Sequence, residues 1–145
     1  GTVRVFALMD DLYSDGIAPG PEIARVIAHV EMLRPSGAIV SIVAPEPVPV
    51  DITVKGLSPD TSAVREEVLA ELREAFRRLS RVAGTDTVHG GMPFLATPAS
   101  FSRSWIWQAV ANAAGEARHE ITIPAADIAL EPGQIATLGD VTFIA

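Results

Sequence analysis

The side chains that could do chemistry crowd first into MDDLYSDGIAPGPE, Met9 to Glu22, where Asp10, Asp11, Asp15 and Glu22 share a Gly/Pro-rich loop. Counted from Asp11, the residues Asp11, Asp15, Gly16 and Glu22 fall on positions one, five, six and twelve of an EF-hand calcium loop. Position three is Tyr13, position nine is Pro19, and a strand-like apolar segment leads in where a helix is required. Asp and Gly are also ordinary loop formers. The loop is therefore read as an acidic connector, with a calcium-stabilised tail or adhesion module using Asp11, Asp15 and Glu22 as an alternative.

His29, His89 and His119 fall on a helix face, in a loop and on a strand, and none has a second histidine or a local carboxylate in a metal-site pattern. HGGMP, His89 to Pro93, has the glycines of an esterase oxyanion loop, but no Gly-x-Ser-x-Gly elbow supplies a nucleophile. A phosphate loop, a dinucleotide fingerprint and His-Glu-x-x-His are all missing from the sequence. No catalytic residue, cofactor-binding residue or metal ligand is assigned, and no cofactor is expected.

Composition narrows the classes further. A chain of 145 residues that is 48% hydrophobic can bury a core, and its apolar runs are too short to cross a bilayer. Zero cysteines exclude disulfides, thiolate nucleophiles and Cys-based metal sites. The net charge of −7 and the absence of a basic patch unmixed with acids argue against nucleic acid as a partner. No membrane partner is expected. Gly1 is not an initiator and a strand begins at Thr2, so a fragment of a longer chain is expected.

The elements that must position any site follow from periodicity. TVRVFAL, Thr2 to Leu8, alternates as a strand. A helix opens at Gly20-Pro21 with a stripe of Ile23, Val26, Ile27, Val30 and Leu33 expected to be buried, and ends at Pro35 and Gly37. Ala38 to Ala44 reads as a buried strand. Pro45, Pro47 and Pro49 mark an edge or bend, and Val48, Val50, Ile52 and Val54 alternate with Asp51, Thr53 and Lys55 on a strand with one wet face. A second helix spans Ser62 to Val82, capped by Thr61, with Val64, Val68, Leu72, Ala75, Phe76 and Leu79 as its buried stripe.

A long loop follows from Ala83 to Phe101, then a short helix from Arg103 to Ala113 with Ser102 as cap and Gly115 beyond its end. HEITIP is another strand, and the tail reads as short strands broken by turns at Glu131-Pro-Gly133 and Gly139-Asp140. The order β-α-β-β-α-α-β predicts an α+β, ferredoxin-like split β-α-β domain over 1–123, with a short β-rich tail over 124–145 packed on it. Trp107 falls off the apolar stripe of its helix, and Met92, Phe94 and Leu95 lie in the long loop. Exposed aromatics and methionine are enriched at interfaces. These four residues are interface candidates, together with Arg77 and Arg81 on the basic end of the second helix.

GTVRVFALMDD, ARVIAHVEMLRPSGAIVSIVAPEPVPVDITV, TSAVREEVLAELREAF and the closing PAADIALEPGQIATLGDVTF together resemble the baseplate J-like proteins of contractile-tailed bacteriophages. Arg34-Pro35, an apolar strand and then APEPVPVDIT is the most specific piece, and the four stretches in order cover nearly the whole chain. The resemblance implies the C-terminal part of a larger, non-enzymatic structural protein of the virion. Such a protein is a tail baseplate wedge subunit, assembled in the host cytoplasm of a phage or prophage. Its partners would be other wedge and hub proteins and copies of itself. It also implies that Pro35 and Pro45 set bends around the second strand and that Gly115 and Gly133 sit at turns. The segment Thr85 to Phe101 is longer and more apolar than the family pattern. A ferredoxin-like small-molecule-binding or enzymatic domain is the remaining alternative.

Overall fold

The computed structural model describes residues 2–35, 37, 39–84 and 99–145, which fall into two compact units, Gly1–Pro47 and Val48–Ala145. The α+β class expected from the sequence is what the chain adopts. The expected division after residue 123 differs from this one, which lies near the start of the third strand.

The first unit contains β1 (Thr2–Phe6), α1 (Gly20–Leu33) and β2 (Ile39–Val43). β1 and β2 pair in parallel, with Val3 opposite Val40 and Val5 opposite Ile42. In a split β-α-β sheet these two strands would be separated by another, so the ladders here do not reproduce the ferredoxin-like order. Pro21 starts α1 where its missing N–H costs nothing, and Glu22 accepts a 3.0 Å bond from Arg25 in the first turn.

The stripe of α1 expected to be buried is not: none of its residues is buried. The reason is width. Two strands about 4.8 Å apart cannot cover a helix roughly 10 Å across. β2 shows the same shortage, because Ile42 is buried while Ile39 stands exposed.

The second unit contains β3 (Glu46–Ser58) from Val48 onward, α2 (Ser62–Leu79), β4 (Ser100–Phe101), α3 (Arg103–Asn112), β5 (Arg118–Ile123), β6 (Ile128–Ala129) and β7 (Gln134–Ile144). β3 is the centre of a sheet ordered β5-β3-β7, and β4 pairs with β6. β3 and β5 run antiparallel from Thr53 opposite Ile123 to Ser58 opposite Arg118. The prolines of β3 lie before that ladder begins, where no N–H is needed for β5. Val50, Ile52 and Val54 face the core and Asp51 and Lys55 face water, as the alternation predicts.

Thr61 Oγ1 accepts from the Val64 N–H at 3.3 Å and caps α2. Val64, Val68, Leu72, Ala75 and Phe76 are buried as a stripe, with Leu79 packed beside them. The helix stops at Leu79 and not at Val82, because Ser80 turns to extended backbone and its Oγ donates to Ala136 O at 2.6 Å. Phe76 stacks on Phe101 at 4.4 Å, and Trp105 meets Phe101 edge-on at 5.1 Å.

The tail corrects a second expectation. The turn at Glu131–Gly133 is present, with Gly133 at φ +90°, but Gly139-Asp140 is not a turn, since β7 runs through it. A side chain at Gly139 would stand 3.0 Å from the backbone of Val50, so glycine is there for close approach. The Asp140 N–H donates to Asp51 Oδ1 at 2.9 Å beside it.

Candidate functional site

The acidic loop is built from turn chemistry. Asp15 Oδ1 accepts from the Ile17 N–H at 3.0 Å, an Asx turn, and Gly16 takes the left-handed φ of +72°. Glu22 faces Arg25. Among the described residues no group of three or more His, Asp or Glu side chains could hold a metal ion, and no helix is long and apolar enough to cross a membrane.

A denser polar arrangement surrounds α3. Ser102 caps it by accepting from the Ser104 N–H at 3.3 Å, and Asp127 Oδ1 accepts from the Arg103 N–H at 2.7 Å. The Arg103 guanidinium donates to Pro124 O at 2.6 Å and to Ile121 O, tying α3 to the end of β5. It also lies over the Trp107 ring at 5.5 Å. The Trp107 ring also meets the His119 ring, with centroids 5.0 Å apart.

His119 corrects the sequence reading, which found no local carboxylate for any histidine. Its Nδ1 lies 2.8 Å from Glu116 Oε1, with the two side chains 6% and 8% exposed, and its Nε2 is buried with no partner among the described residues. The pair closes the connection between α3 and β5, where Gly115 turns at φ +86°. The His119 ring of the pair lies against the Trp107 ring.

Of the interface candidates, Trp107 is half-buried and packs against the core as well as on Arg103 and His119. Arg77 and Arg81 are exposed near the end of α2. Arg81 donates to Arg78 O at 2.8 Å and Ser80 O at 2.7 Å, so it also covers carbonyls that the helix end leaves open. Met92, Phe94 and Leu95 lie outside the described residues. The groove between α2 and α3, lined by Glu71, Glu74, Arg78, Trp105, Gln108 and Asn112 among others, has a volume of about 20 Å3. That is room for one water molecule.

The surface that sequence reasoning missed is on the first unit. Eight of the ten large apolar residues that stand exposed among the described residues lie there, including Val3, Val5, Leu12, Met32, Leu33 and Ile39. Their periodicity was visible. What covers each stripe was not.

Residues 94–144 match the family model of the baseplate J-like protein C-terminal domain. This C-terminal third of the chain is β4 to β7 with α3, and the family is the one that the sequence resembles. No curated protein matches the chain. The family match points to a structural role in a phage tail baseplate and to assembly with other baseplate proteins.

Proposed function

We propose that this chain is a non-enzymatic wedge component of a contractile-tail baseplate, from a phage or prophage, and that it works through protein–protein contacts. Its partners are other wedge proteins, the hub and further copies of itself, joined in the bacterial host cytoplasm before the tail is complete. The observation that carries the reading is the match of residues 94–144 to the baseplate J-like C-terminal domain. Two features of the molecule support it. The second unit has a saturated core, as a rigid part needs, while the first unit displays apolar residues that a monomer ordinarily covers. Trp107, Arg77 and Arg81 are the described candidates for contacts from the second unit, and the contacts are of the kind that can be exchanged when a sheath contracts.

The test is to tag the chain in an intact tail-gene cluster and purify the particles. Gold label against the tag at the baseplate end, with loss of baseplates when the gene is deleted, is the expected result. Tails that assemble normally without the chain, or particles that carry no tag, would overturn the reading.

A further inference from the structure

Among the described residues β1 and β2 pair only with each other, so each has one edge that no described strand occupies. Directly opposite residues of a parallel pair share a face, which puts Val3 and Val5 beside Val40 and Ile42 and puts Arg4 with Ser41 on the other side. Ile42 is 7% exposed, Val5 43% and Val3 52%. The uncovered apolar surface thus lies on the β1 side and is continuous with its unpaired backbone. Parallel strands ordinarily have both faces covered, and proteins that leave an edge free blunt it with proline, charged side chains, short strands or a bulge. β1 is five residues long with one charge, Arg4, at its centre; it has neither proline nor a bulge, and its register with β2 is regular throughout.

We propose that the outer edge of β1 accepts an extended segment of a second protein, apolar beside Val3 and Val5 and acidic opposite Arg4. The inference rests on the reading of the chain as an assembly protein. A strand is the occupant because it satisfies the open N–H and C=O groups and covers the two valines together, whereas a docked helix covers only the valines. The acid is required because Arg4 is exposed and has no ion-pair partner among the described residues. A second copy of β1 is the wrong occupant. Arg4 is the middle residue of five, so antiparallel self-pairing about the strand centre sets two arginines against each other, which is destabilising. Beyond Phe6 the chain stays tied to β2, where the Ala7 N–H donates to Val43 O at 3.1 Å, and Leu8 then bridges to Ile17.

The test mixes the 145-residue protein with a labelled peptide, Thr-Val-Thr-Val-Glu-Val-Thr, and with its counterpart carrying Lys in place of Glu. Binding is read by anisotropy and located by amide hydrogen exchange. The Glu peptide is expected to protect amides within 2–6 and to bind about tenfold more tightly than the Lys peptide at low salt. Arg4→Glu should invert the order and Arg4→Gln should level it.

Unchanged exchange within 2–6 at saturating peptide, or equal binding of both peptides, would overturn the proposal. So would concentration-dependent protection of β1 in the protein alone, which would assign the edge to a second copy. If tagged chains enter baseplates while the peptides fail, this proposal falls and the assembly role stands. Peptide binding with no tag in the particles would give the reverse result.

Discussion

Leu72→Ala is the sharpest probe of how the second unit is held together. Leu72 is fully buried in the cluster that also holds Val68, Phe76, Val110 and Ile121. The substitution removes three carbon atoms, worth about 0.8 kcal/mol each in lost burial. Incomplete collapse of the cavity adds to that, so the expected cost is about 3–4 kcal/mol, inside the ~2–5 kcal/mol span of buried Leu→Ala changes.

Urea titration by tryptophan fluorescence is the assay, because both tryptophans, Trp105 and Trp107, lie in the second unit and Trp105 packs edge-on against Phe101. With a slope of about 1–3 kcal/mol per molar urea, the midpoint should fall by roughly 1–4 M. Ile27→Gln, on the exposed face of α1, should leave the same midpoint in place. A Leu72→Ala midpoint within experimental scatter of the original would refute the assignment of the core. A changed slope would instead mean that the transition no longer involves the same folded unit.

Glu116→Ala should cost about 1–3 kcal/mol, because it strips the buried His119 Nδ1 of its partner. Adding His119→Phe to that variant should recover part of the loss, and a double-mutant cycle by urea titration measures the coupling. Arg65, hydrogen-bonded to Asp60, holds the Asp60 carboxyl below its ordinary range. A depressed carboxylate adds stability above its unfolded pKa and loses it as pH falls through the folded one. Asp60→Asn should therefore lower stability slightly near neutrality, and the difference from the original should vanish as pH falls below about 4. A profile of midpoint against pH checks the sign, and added salt should shrink the difference, since both side chains are exposed. A chelator should leave the melting temperature where it was. A fall reversed by calcium would revive the reading of Asp11, Asp15 and Glu22 as ligands.

Legibility in the sequence follows from whether a signal is local. The stripe from Val64 to Phe76 announces both its period and its cap, and a long amphipathic helix with a good cap has little choice but to bury that face. The alternation of β3 is of the same kind. Gly139-Asp140 was misleading because a glycine serving a turn and one serving close backbone approach are the same letter, and only Val50 on β3 tells them apart. The Glu116–His119 pair has i,i+3 spacing but straddles a helix-to-strand connection, where that spacing implies no shared face. For α1, periodicity correctly gave an apolar face and said nothing about what lies against it. The interface candidates divide in the same way: an aromatic off the helical stripe is visible in sequence, but Trp107 finds Arg103 and His119 only through the fold.

The contrast between the units has a consequence in dynamics that hydrogen exchange can read. A helix with no buried residue is held by its own hydrogen bonds and a few half-buried contacts, and isolated helices of its 14-residue length are marginal in water. α2, by contrast, opens only when its five buried side chains leave the core. Amides in the middle of α1 should therefore exchange by local opening at least about a hundredfold faster than those in the middle of α2. The factor matches a difference near 3 kcal/mol, less than burial of two large apolar side chains supplies. Equal protection in the two helices would show that α1 is held as firmly as a core helix, and the argument from its exposed face would fail. If a partner strand completes the sheet at β1, protection of α1 should rise with occupancy, because a ligand that binds only the folded unit stabilises it by mass action. The first unit would then owe much of its order to the contacts it makes in an assembly.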